Sequence, residues 1–185
     1  NIAVTAGARG KVRFLDQVWL PEEIGHSEVI PEIAVRSGGI SGSAMNGLIS
    51  QIREREFNLG RNYSLIQNDV YSWIQEKSGR YYYNPTMIAG SKDLVVNEAL
   101  MNHGGQESFH AHVYYEDAKA IFASNPQYKD ALANQVIEMV GDFIMPGPYN
   151  FPELAKDFPK WAEKFKFPYM LLLKELSLGL EDLIG

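Results

Sequence analysis

His110 and Asn125 are the residues of this chain whose types and spacing best suit acid–base chemistry at an amide. If residues 108–126 form a hairpin with Asp117-Ala118 as its loop, His110 lies directly opposite Asn125, with Cβ atoms about 5 Å apart. A four-residue loop over residues 116–119 keeps the same register, although Asp-Ala is not the Asn-Gly or Asp-Gly that tight hairpins prefer. His112 and Tyr114 would share that face. An imidazole that takes a proton from a nucleophile needs a neighbour to fix its tautomer, and an amide across the strand supplies one. The nucleophile of such a site sits at a helix start, where backbone N–H groups lower a thiol's pKa and bind an oxyanion.

Residues 39–45, Gly-Ile-Ser-Gly-Ser-Ala-Met, precede such a start. The segment resembles the Cys-Gly-Ser-Cys-Trp stretch of papain-like cysteine proteases, with Ser41 and Ala44 at the two Cys places and Met45 at the Trp. The order of nucleophile helix, His strand and Asn strand is similar to that of the compact papain-fold proteases and deamidases delivered as bacterial effectors. The resemblance implies Ala44 at the nucleophile position, with Ser41 as the fallback, His110 as the base and Asn125 as its orienting residue. It implies a thiol hydrolase that cleaves peptides or deamidates glutamine, inactive with Ala44 in place, acting on a protein substrate without cofactor or metal. A secreted or delivered effector is the location that goes with it, a cytoplasmic protein otherwise. The chain departs from the family in having no Cys, in carrying Gly38 where an oxyanion-hole Gln belongs, and in lacking the loop around the Trp.

A second chemistry is open. His103, His110, His112 and Glu116 offer a His-x-His pair with a carboxylate, a set that can hold zinc or non-haem iron. The run Gly104-x5-His110-x-His112-x3-Glu116 resembles the first metal motif of the cupins, but no His near Gly141-Asp142 supplies the second. Residues 4–10, Val-Thr-Ala-Gly-Ala-Arg-Gly, look like the glycine turn of short-chain dehydrogenases, with Tyr115-x3-Lys119 as a mimic of their catalytic pair; Val12 stands where the last glycine belongs. The same turn with residues 39–43 looks like a patatin-type elbow without its second glycine. A non-enzymatic partner-binding or inhibitor domain is the remaining alternative, because Phe, Tyr and Trp dominate interface hot spots.

The elements that must position these residues follow from periodicity. Met45, Leu48, Ile49 and Ile52 fit a helix over 44–56 with Ser43 as N-cap. Residues 63–76 form an amphipathic stretch, and 92–102 read as a helix ending at Gly104-Gly105. Residues 2–4, 80–88, 109–115 and 120–125 read as strands, and 30–35 as an apolar stretch broken by Ser37-Gly38-Gly39. From Pro126 onward helix dominates, with one stripe at Tyr128, Leu132, Val136, Met139 and Val140. Another runs through Phe151, Leu154, Phe158, Trp161 and Phe165, with a start signal at Asn150 and Pro152, a kink at Pro159 and a break at Pro168. The expected fold is therefore α+β and papain-like: a nucleophile helix packed on a small antiparallel sheet, with a helical C-terminal third. At 185 residues one domain is expected, alone or with residues 145–185 as an appended helical segment.

Composition bounds the rest. Apolar residues at 45% and charged residues at 22% suit a globular chain. A net charge of −6 with no basic stripe disfavours nucleic acid as a partner. No apolar run reaches membrane-spanning length, and a chain opening on Asn1 rather than Met reads as processed or trimmed. Zero cysteines excludes disulfides and thiolate metal sites, and fits an enzyme whose single nucleophilic cysteine has been replaced.

Overall fold

The computed structural model describes residues 9–54, 62–83, 92–143, 145, 156, 158–164 and 166–185. Among them there is no strand; apart from turns and short connections they are helical. The α+β papain-like expectation is thereby overturned, along with its sheet. The strand readings at 109–115 and 120–125 fall inside one helix, and Tyr81 and Tyr82 end another. The stretches at 2–4 and 84–88, together with Phe151, Leu154, Phe165, Asn150 and Pro152, lie outside the described residues.

The chain forms two compact units, Asn1–Glu56 and Phe57–Gly185. In the first, helical residues from 9 pass through a π-helical turn, Leu15–Trp19, directly into α1, Leu20–Arg36. Pro21 falls in the first turn of α1, where its missing N–H costs nothing, and Pro31 lies inside the helix. Gly38, at φ 74°, turns the chain after α1 in a conformation that glycine adopts without strain. The second helix, α2, spans Gly42–Glu54. It matches the expected helix over 44–56 but is capped by Ser41, whose Oγ accepts from the Ala44 N–H at 3.3 Å. Ser43, the expected cap, is already within the helix.

The second unit is built on two long helices, α3 (Leu65–Tyr82) and α4 (Leu94–Ser124). A capping box closes the start of α3, Ser64 and Gln67 each satisfying the other's backbone N–H. Asp93 caps α4 by accepting from Val95 at 2.9 Å and Val96 at 3.3 Å. The buried positions of α4 are Leu100, His103, Glu107, His110, Ala111, Tyr114, Ala118 and Phe122, a stripe at spacings of three and four. That stripe, rather than the alternation of residues 109–115, sets the conformation. Gly104 and Gly105, the expected stop, lie inside the helix.

The two helices run antiparallel. Trp73 stacks against Tyr115 with ring centroids 5.1 Å apart, Glu76 meets His110, and Tyr83 lies 5.7 Å from the His103 ring. Further helices cover the pair: α5 (Lys129–Gly141), α6 (Phe158–Lys164) and α7 (Tyr169–Ile184). Val136 and Met139 of α5 are buried, and Gln67 Nε2 donates to the Gln135 carbonyl at 3.0 Å. Tyr81, Ala162, Phe167 and Leu172 form a cluster that ties α6 and α7 to the end of α3.

Polar contacts fix α7 in place. Lys77 Nζ lies 2.6 Å from Glu175, and the Tyr115 hydroxyl donates to Asp182 at 2.6 Å. Burial pushes the Glu175 carboxyl up, but hydrogen bonds from Lys77 and Tyr81 and the charges of Lys77 and Arg80 outweigh it and leave it below 4.5. The hydrogen bond from Tyr115, with Lys119, holds Asp182 below its usual value as well. Tyr81 is pushed up to about 12, chiefly by burial and then by its bond to Glu175.

Two outcomes are expected. A methyl at Gly179 would lie 2.5 Å from Trp73 Cζ2 and 2.6 Å from Cη2. Gly179→Ala should therefore cost about 1–3 kcal/mol, read as a lowered Tm in thermal unfolding. Gly105→Ala, whose methyl meets nothing within 4 Å, should hold or raise the Tm. The second concerns pH. A depressed folded-state carboxyl contributes stability that is present above its unfolded value and lost as pH falls through the folded one. Urea unfolding of Glu175→Gln should thus show a shallower loss of stability below pH 4.5, and a deficit at pH 7 of about 0.2–1 kcal/mol for so accessible a pair.

Candidate metal centre

Helix pairs ordinarily meet through aliphatic side chains; the α3–α4 seam also holds carboxylates and imidazoles. Asp69 and Glu76 of α3 are 1% and 3% exposed, and His103, Glu107 and His110 of α4 are 6%, 8% and 0% exposed. Charged groups so withdrawn from water occur where they are paired, hydrogen-bonded or bound to metal.

Helical geometry explains the grouping. Glu76 and Gly79 are three apart on α3, and Glu107 and His110 are three apart on α4, so each pair occupies one face of its helix. His110 Nδ1 lies 3.3 Å from Glu76 Oε2. The Glu107 carboxylate lies against Gly79, with Oε2 2.5 Å from where a Cβ would stand. Glu76 and His110 thus meet across the seam, and the Glu107 carboxylate is seated one turn away against Gly79. His103 is engaged differently. Its Nδ1–H donates to the Ala99 carbonyl at 2.6 Å, and its ring packs on Tyr83.

The first unit carries the same spacing by itself. Glu23 and His26 lie one turn apart on α1, His26 Nδ1 3.5 Å from Glu23 Oε1, with His26 buried. The Glu-x-x-His sequence therefore occurs twice in the chain, at 23–26 and at 107–110, both times on a helix.

The expected hydrolase residues fall elsewhere. His110 lies within helix α4 and Asn125 just past its end, so they are fifteen positions or roughly 22 Å apart along its axis rather than paired across strands. Asn125 follows the last residue of that helix and donates from Nδ2 to the Ile121 carbonyl at 2.8 Å. Ser41 and Ala44 are exposed at the start of α2 in the first unit. The expected metal set is divided too. His112 and Glu116 are exposed while His103 and His110 are buried, because residues two apart on a helix point away from each other.

Glu76, Glu107, Glu23 and His26 escape a reading of the sequence that looks for strands. The signal available was the repeated Glu-x-x-His, which places both donors on one helical face. Comparison with known families, curated proteins and solved structures finds no match.

Proposed function

We propose that this chain is a non-haem iron oxidoreductase with carboxylate and imidazole ligands. The observation that carries the reading is the buried contact of Glu76 with His110, 3.3 Å apart, in a seam that also buries the Glu107 carboxylate. A charge-assisted hydrogen bond between such groups is normally about 2.7–2.9 Å. Two donor atoms bound at about 2.1 Å to one ion, at angles between octahedral and tetrahedral, lie about 3.0–3.4 Å apart. The 3.3 Å spacing is that of a long hydrogen bond and is also compatible with two ligands of a shared cation.

Di-iron and di-manganese carboxylate proteins of the four-helix kind draw their ligands from Glu-x-x-His motifs and single Glu residues on helices. The second unit holds Glu107-x-x-His110 on α4 and the buried Glu76 on α3. Carboxylates and imidazoles without thiolates suit iron and manganese rather than the softer metals. Bound iron would supply one-electron redox chemistry with dioxygen. The side chains contribute placement and exclusion: Glu76 and His110 bring two donor atoms within 3.3 Å of each other, and their burial keeps bulk water from them.

Iron loading under anaerobic conditions, followed by gel filtration and metal analysis, tests the reading. The wild-type chain should retain iron and consume dioxygen when exposed to air, oxidising its iron faster than the same concentration of free iron(II). His110→Ala and Glu76→Ala should each weaken retention more than tenfold. His112→Ala, on the exposed face of α4, should leave it unchanged. A wild-type chain that retains neither iron nor manganese, or His110→Ala and Glu76→Ala variants that retain as much as wild type, would overturn the proposal.

A further inference from the structure

Gly79 sits inside α3, where glycine is about 0.5–1 kcal/mol less favourable than alanine. Its backbone does not call for glycine, since among the described residues positive φ occurs only at Gly38 and Lys166. What Gly79 provides is space on one side. A Cβ there would stand 2.5 Å from Glu107 Oε2, 3.1 Å from Cδ and 3.6 Å from Oε1, so the whole carboxylate lies against the α3 backbone. No other described glycine has a carboxylate side chain against it in this way. Glu107 is 8% exposed, on the buried face of α4 that also carries His110. Gly79 is one turn along α3 from Glu76, as Glu107 is one turn along α4 from His110.

We infer that Gly79 is a positioning residue, its bare Cα forming the slot that seats the Glu107 carboxylate, on the buried face of α4 that also carries His110, for metal ligation. The inference rests on the reading of Glu107 as a ligand. A methyl at position 79 meets the Glu107 carboxylate first, and either tilts it out of its seat or pushes α4 outward. Either movement changes the ligand geometry while every ligand remains in the chain.

The test is a double-mutant cycle between Gly79→Ala and Glu107→Ala, read with cobalt(II), whose visible spectrum reports its coordination, and with thermal unfolding. Gly79→Ala should weaken cobalt binding at least tenfold and alter the spectrum. In the Glu107→Ala background the same substitution should change affinity by less than twofold and leave the spectrum as it was. Its cost in Tm should likewise disappear, since the group that the methyl meets is gone. If Gly79→Ala alone does not fold, the Gly79→Ala/Glu107→Ala chain must fold; a double variant that also fails overturns the inference.

Wild-type affinity and spectrum in Gly79→Ala, with binding lost in Glu107→Ala, would overturn the positioning role and leave the metal reading standing. Equal weakening by Gly79→Ala in both backgrounds would overturn it too, by showing a general disturbance of helix packing. A wild-type chain that takes up neither cobalt nor iron would remove the metal reading and the positioning role that depends on it. The loss of Tm in Gly79→Ala and its recovery in the double variant would then record a packing contact alone.

Discussion

A carboxylate and an imidazole, 3.3 Å apart and withdrawn from water between two helices, govern the arrangement of the second unit. Greasy side chains in such a seam would tolerate a helix sliding or rotating by a fraction of a turn, because apolar contact has no direction. Glu76 and His110 do not tolerate it. A register shift that parted them would leave charged or polar groups buried without each other, a cost of several kcal/mol. The pair therefore fixes which residue of α3 faces which residue of α4, and the neighbouring contacts inherit that register: Trp73 on Tyr115, Tyr83 on His103, Gly79 under Glu107.

Close approach is the second consequence. Gly79 admits a carboxylate against the α3 backbone, and Gly179 admits the Trp73 ring against α7. Each gives up the helix propensity an alanine would add, and each does so where a neighbouring side chain has no other place to lie. The outer helix is then held by groups with long reach: Lys77 to Glu175, Tyr115 to Asp182 and Lys119 to Asp182. The polar seam, the glycine contacts and these ion pairs lie on successive faces of the same two helices, so Trp73, Glu76, Lys77 and Gly79 of α3 each face a different demand within two turns.

Much of the helical content could be read from spacing, and the part that misled shows why. The helix at 42–54 and the first part of that at 65–82 were visible because Met45, Leu48 and Ile52, or Ile66, Val70, Trp73 and Ile74, mark their faces with apolar residues, whereas residues 80–82 read as strand. In α4 the same face carries His103, Glu107 and His110 between Leu100 and Ala111. An apolar tally breaks at those positions, and what remains visible is the alternation of residues 109–115, which imitates a strand. Gly104-Gly105 strengthened the error, since adjacent glycines usually end a helix. The site was hidden by the same feature that defines it. A helical reading of 100–122 requires that histidine and glutamate be counted as interior, and a reason to count them so exists only once a shared ligand is considered.

That reversal bears on what the polar residues are for. Replacing a buried ionic cluster with well-packed apolar residues is often neutral or stabilising, and a seam between two long helices is among the easiest places to make such a replacement. Glutamate and histidine at these positions therefore gain little as structural choices. Glu107-x-x-His110 on α4 and Glu76 on α3 are instead the donor types a divalent cation takes from helices. On the proposed reading, a bound cation would offset the burial of the carboxylates by neutralising their charge within the seam.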